Sequence, residues 1–457
     1  LGLADERLAV FTGLGIAAVY KFIADGLKAF PSEVAFEIKA YKGSGIGMDT
    51  LPALLGVGYI CGPKISSYLL AGGTVAWFAL MPLIALFGGD MVMFPGTEPI
   101  STFSPDAIWS TYIRYIGAGA VACGGILSLI KSLPMIVRTF RDAMKGLKGG
   151  SANDNSRTAQ DLSMNIVLIG IGVIAIAMWL IPAIPVNLIG AIIIVICGFF
   201  FATVSSRMVG IVGSSNNPVS GMAIATLLIA TMLLKASGMI GYPGMVSAIA
   251  IGTVICIIAA VAGDTSQDLK TGYIVGATPK KQQIGELIGV VVSALAIGGI
   301  LYLFNNAWSY GTSELPAPQA MLMKMVVEGV MGGNLPWNLV FVGVGIAIVV
   351  EILGIPVLPF AVGLYLPIYL STPMMVGGAV RWFFERKGNN KEGIDRGVLY
   401  CSGLIAGEGL VGILLAVFAV IKVGGTSLGD IIGSCLPFSL GNWGGLVIFA
   451  ALTATLF

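Results

Sequence analysis

The chain has 457 residues, of which 56% are hydrophobic and 11% charged, with a formal net charge of +2 and a mean hydropathy of +0.94. Soluble domains carry roughly 25% charged residues, so this composition excludes one and indicates a polytopic α-helical membrane protein. There is no histidine and the six cysteines lie scattered in apolar runs, which removes Ser-His-Asp and Cys-His catalysis and imidazole metal sites.

In chain order, apolar runs predict membrane spans over 8–27, 64–88, 109–133, 163–181, 185–206, 218–235 and 239–262. Further spans follow over 284–304, 319–333, 337–355, 358–380, 397–422 and 442–457. Most are near the ~20 residues needed to cross a ~30 Å hydrocarbon core. Segments 50–62 and 427–437 predict half-helices that enter and leave on one side. The runs are long and unbroken, which excludes the short alternating strands of a membrane barrel. The expected fold class is all-α: a transmembrane helical bundle with inverted internal repeats, broken helices and re-entrant segments.

Loop charge sets the orientation. Loops 138–157 and 381–396 carry five Lys or Arg each, and loop 270–283 carries Lys270, Lys280 and Lys281. Loops 89–106 and 305–318 carry neither residue. The positive-inside rule places the first three in the cytoplasm. An internal repeat then emerges. The stretch Phe11–Val19 matches Phe341–Val349 at an offset of 330, and Gly72–Phe78 matches Gly377–Phe383 at 305. Gly58 and Ser66 pair with Gly363 and Ser371 at that same offset. Gly119, Ala122 and Gly125 pair with Gly403, Ala406 and Gly409 at 284. With the charge-derived topology the two copies are inverted, the architecture of alternating-access transporters. Residues 1–150 then read as the C-terminal part of the first repeat and 151–457 as the second. Helices equivalent to 163–335 are expected upstream of Phe11.

The candidate chemistry is polar residues at membrane depth, which are costly unless they serve a pathway. Asp264 and Asp268 lie four apart and share a helix face, beside Lys270 and Tyr273. Two close carboxylates raise one pKa and allow one of them to hold a transportable proton, or alternatively the stretch is a solvated helix cap followed by a loop. Ser214, Ser215, Asn216 and Asn217 precede Pro218, a helix start that offers free N–H groups to a carboxylate, or alternatively an ordinary capped turn. Glu351 and Glu408 interrupt apolar spans, Glu408 between two glycines. Breaks beside Tyr59 and Tyr365 free backbone groups for a cavity, or are proline kinks.

The segments AGDTSQDLKTGYIVGATPKKQQIGELIG, RMVGIVGSSNNPVSGM and LLGVGYICGPKISSYLLAGG resemble the prokaryotic branch of the oligopeptide transporter family. RYIGAGAVACGGILSLIKSLP and GLYLP add to the likeness, which runs over essentially the whole chain. The resemblance implies a secondary transporter that imports short peptides, or metal chelates of the nicotianamine type as in the yellow-stripe-like branch, coupled to protons. The expected substrate contacts are Ser214, Ser215, Asn216, Asn217, Pro218, Tyr59, Tyr365, Lys270 and Tyr273. The expected proton carriers are Asp264, Asp268, Glu408 and Glu351. No enzyme activity, resident metal, cofactor or nucleic-acid partner is expected. The expected partners are the substrate, protons and the lipid bilayer of a prokaryotic inner membrane, and a homo-oligomer is left open. A channel, the alternative of another class, needs a continuous pore lined by charge or carbonyls.

Overall fold

The computed structural model describes residues 3–38, 40–148, 156–212, 219–312, 315, 317–332, 335–386, 391–436 and 438–457. Its elements begin with helix α1 (Leu3–Lys21), a hairpin of strands β1 (Glu33–Glu37) and β2 (Gly45–Asp49), and helices α2 (Pro52–Val75) and α3 (Met81–Gly88). Helices α4 (Pro105–Ile108), α5 (Arg114–Lys148), α6 (Met164–Leu180), α7 (Leu188–Val212) and α8 (Val219–Ala236) follow. Next come α9 (Gly241–Val275), α10 (Pro279–Ala307), α11 (Pro318–Gly332), α12 (Trp337–Ile352) and α13 (Val357–Tyr365). The chain continues through α14 (Ile368–Arg386), α15 (Lys391–Val420), a ribbon of β3 (Lys422–Val423) and β4 (Thr426–Ser427), α16 (Leu428–Gly433) and α17 (Gly441–Ala454). Six helical stretches are long and apolar enough to cross a membrane, and α10 keeps none of its most apolar stretch buried. Such an outward apolar surface fits hydrocarbon, so this is a polytopic helical membrane protein.

Two units form by contact. The first holds Leu1–Val121, Gly299–Pro318 and Pro336–Phe457. In it α2 reverses direction at Gly62, whose φ of 82° and ψ of 173° precede Pro63. Glycine is the residue that tolerates such a φ, and Pro63 cannot continue the ladder of hydrogen bonds. The hydroxyl of Ser66 donates to the Gly58 carbonyl at 3.2 Å. Eight residues along a straight helix span ~12 Å, so residues 52–61 and 63–75 lie side by side as a re-entrant helical hairpin. The carbonyls of Tyr59 and Ile60, freed at this break, accept from the Arg381 guanidinium at 3.1 and 2.7 Å. A second break separates α13 from α14 at Leu366 (ψ 150°) and Pro367. The span expected over 358–380 is therefore two pieces.

Glycines carry the close approaches in this unit, and those contacts exchange between the two matched segments. A Cβ on Gly13 would meet Tyr400 O and Leu404 N, while one on Gly343 would meet Ile116 O and Ala120 N. A Cβ on Gly58 would meet Met374 O at 1.9 Å, and one on Gly363 would meet Leu69 O at 1.9 Å. Each contact is the image of its mate under the sequence offsets 330, 305 and 284. Gly58→Ala is expected to destabilise by about 1–3 kcal/mol through backbone overpacking. Gly345, which has nothing within 4 Å of an added Cβ, should by contrast tolerate Ala. Thermal unfolding of the two variants in detergent checks this.

The second unit, Ala122–Gly298 with Gln319–Leu335, packs α7 and α8 on α9. Leu227, Leu234, Ala248, Ile251 and Ile255 form its core. Helix α9 runs straight through the polar stretch 263–275 and stops at Gly276, in the left-handed region at φ 73°. Thr265 Oγ1 donates to Glu286 Oε2 of α10 at 2.7 Å, and Arg157 donates to Gly276 O at 2.8 Å and to Thr278 Oγ1 at 3.2 Å.

Candidate functional site

Four charged groups of the first unit converge where α1 ends, the hairpin returns and α2 begins. Helix α1 closes in a π-helical turn, Phe22–Gly26, that starts beside Lys21 and contains Asp25. Such single π turns recur at functional sites because they re-aim side chains. Here Lys21 Nζ sits 2.5 Å from Asp25 Oδ2 and 3.6 Å from Glu408 Oε1. The Ser32 hydroxyl donates to the other Asp25 oxygen. The Thr50 N–H donates to Ser32 O at 2.7 Å, and its hydroxyl reaches Ser32 O and Pro31 O at 3.1 and 3.2 Å. Those bonds close the base of the hairpin and set Asp49 beside the cluster.

Glu408 owes its position to glycine. A Cβ on Gly407 would lie 2.2 Å from Leu14 O, so α1 and α15 touch backbone to backbone there. Helix α2 starts with Pro52 in its first turn, and the free Ala53 N–H donates to Glu408 Oε2 at 2.6 Å. The carboxylate is thus held by a half-helix N-terminus on one oxygen and by Lys21 on the other. Side-chain exposures of 11% for Glu408 and 14% for Lys21 make this a largely desolvated pair.

Asp49 is 8% exposed, and its carboxyl makes no hydrogen bond or ion pair among the described residues. Burial pushes its pKa up to about 8, helped by the negative charge of Glu33; Lys21 opposes the shift, and Glu408 and Asp25 add to it. Glu33 and Asp106 are also raised, each by burial first, then by Asp106 and Glu37 respectively. Asp49 therefore holds a proton at neutral pH, under the influence of one cation and three further carboxylates. Among the described residues no group of three His, Cys, Asp or Glu is placed to hold a metal ion.

Of the residues singled out in the sequence, Glu408 belongs to this cluster. Glu351 is the penultimate residue of α12 and lies 330 positions after Lys21, at the equivalent point of the matched segment. Tyr59 and Tyr365 are buried at the two breaks, 1% and 2% exposed. Asp264, Asp268, Lys270 and Tyr273 lie in the second unit on α9 with exposed side chains. Ser214, Ser215, Asn216, Asn217 and Pro218 lie outside the described residues. Lys21, Asp25 and Asp49 were missed. Their signal was present: an i, i+4 Lys–Asp pair at a span end, and an acid just ahead of the half-helix.

The geometry can be set beside known proteins. A protein of Haemophilus influenzae named for oligopeptide transport is 28% identical, over 95% of this chain and 76% of its own length. Two Oryza sativa proteins named as metal-nicotianamine transporters, YSL11 and YSL14, are 24% and 26% identical over 87% of this chain. The chain spans 60% and 58% of those two. The family described as OPT oligopeptide transporter protein matches residues 8–419, and the chain belongs to that family.

Proposed function

We infer that the protein is a proton-coupled secondary transporter that imports short peptides or peptide-like metal chelates by alternating access. The observation that carries the coupling is the Lys21–Glu408–Asp49 cluster at the start of a re-entrant half-helix. A carboxyl whose pKa is pushed up to about 8 beside a fixed ion pair exchanges a proton when its surroundings change from one solvent to another. The exchanged glycine contacts support reading 1–150 and 151–457 as parts of two inverted repeats, with the cytoplasmic loops as assigned by charge. The chelate reading is favoured by the rice relatives, whose names refer to metal-nicotianamine.

Uptake into proteoliposomes tests the reading. Trialanine or nickel–nicotianamine should accumulate under an inward proton gradient and stop when the gradient is collapsed. Accumulation indifferent to the gradient would sink the coupling. Single-channel current steps in a planar bilayer would replace the transporter with a channel.

A further inference from the structure

We propose that Arg114 and Trp109 form a carboxylate-binding subsite at the break between α13 and α14. The choice of a carboxylate over other anions rests on the transport reading above. The anion site itself rests on geometry alone.

Trp109 and Arg114 are five residues apart, and on an α-helix they would point about 140° apart. The π-helical turn Trp109–Ile113 narrows that offset: the Arg114 N–H donates to Trp109 O, the i to i−5 bond of a π turn. The guanidinium consequently lies over the indole, 5.6 Å from the ring centroid. Stacking occupies the face of the guanidinium and leaves its N–H edge available. Arg114 Nε and Trp109 Nε1 are both buried, and neither has an acceptor. Among the described residues no carboxylate pairs with Arg114. Native interiors leave few buried donors unmatched, so two on stacked neighbours require an explanation.

The elements around them fit a ligand site. A Cβ on Gly117, one turn further along α5, would lie 2.5 Å from Tyr365 Cα, so α5 abuts the break directly. The Tyr365 hydroxyl lies beside Arg114. The site therefore offers donors from a fixed cation and an indole, at a point where a helix is interrupted. A planar anion with two acceptor oxygens matches a guanidinium edge in bidentate fashion, and the indole N–H supplies a third donor. The C-terminal carboxylate of a short peptide and a carboxylate of an aminocarboxylate chelate share this chemistry.

The test compares trialanine, its C-terminal amide and nickel–nicotianamine on the purified protein, both as uptake and as thermal stabilisation in detergent. Wild type should prefer trialanine over the amide, or be stabilised by the chelate. Arg114→Gln should cut the apparent affinity for the acid about tenfold or more while leaving the amide unchanged. Arg114→Lys should recover part of that loss. Trp109→Phe, which keeps the ring and removes the N–H, should weaken the acid alone by a smaller factor. The substrate whose response depends on Arg114 identifies the source of the carboxylate. Equal losses for acid and amide would assign Arg114 a purely structural role and overturn the subsite. So would a preference for the acid that survives Arg114→Gln, or a wild-type protein stabilised by neither carboxylate. Carboxylate-dependent stabilisation without uptake would overturn the transport reading and leave the subsite standing.

Discussion

Lys21→Met is expected to destabilise the protein more than any other single change in the charge cluster, by about 3–5 kcal/mol. Among the described residues Lys21 is the one cation acting on the three carboxyl groups, and it lies 2.5 Å from Asp25 and 3.6 Å from Glu408. Its side chain and that of Glu408 are nearly desolvated, so water does little to screen the repulsion left behind. The loss should appear as a large fall in the thermal midpoint in detergent. Glu408→Gln should cost less, because the amide oxygen still accepts the Ala53 N–H. The double variant Lys21→Met/Glu408→Gln should be more stable than Lys21→Met alone, because one of the two facing charges is gone. Additive losses would show that Lys21 and Glu408 do not interact, and the cluster would lose its basis. Glu408→Gln should also abolish gradient-driven uptake while leaving downhill exchange of substrate measurable. Gradient-driven accumulation at the wild-type rate would remove Glu408 from the coupling path.

The helices were legible because they are carried by local pattern. Apolar runs near ~20 residues mark helices whatever their neighbours do. The matched glycines are fixed in sequence because backbone contacts admit no Cβ, as at Gly58 against Met374. The reversal at Gly62–Pro63 was likewise written in residue type. Three things escaped. The polar stretch after Ala262 reads as the end of a span, yet nothing between Gly263 and Tyr273 stops a helix, and α9 continues to Gly276. The 28–49 segment carries no expected span or half-helix, whereas it forms a hairpin whose base is tied to Asp25 through the Ser32 hydroxyl. The cluster joins residues from α1, the hairpin, α2 and α15, and no local pattern encodes a meeting of such distant segments. Three π-helical turns, at Phe22–Gly26, Ala76–Leu80 and Trp109–Ile113, also leave no mark in hydropathy, and two of them aim the charged residues discussed above.

Asp49→Asn is expected to remove the pH dependence of both stability and coupling. The Asp49 carboxyl, ordinarily near 3.8, is pushed up to about 8, by burial first and then by Glu33. Between those two values the folded protein holds a proton on Asp49 that the unfolded chain has released. Stability must therefore fall as pH rises through that window, and the contribution is fully present only below the unfolded value. Wild type should lose thermal stability steadily from pH 5 to pH 8.5. Asp49→Asn, which keeps the shape and cannot ionise, should be flat over that range and more stable than wild type at its alkaline end. Uptake should behave in parallel: the wild-type rate should decline on the alkaline side around pH 8, and the Asn variant should have no such limb and no gradient-driven accumulation. Glu33→Gln separates this account from a general effect of alkali. Removing the repelling charge with the largest effect should move the limb to lower pH, since the ionised Asp49 is then less disfavoured. A limb that stays in place in Glu33→Gln, or persists in Asp49→Asn, would assign the titration to another group and leave Asp49 a buried acid with no part in transport.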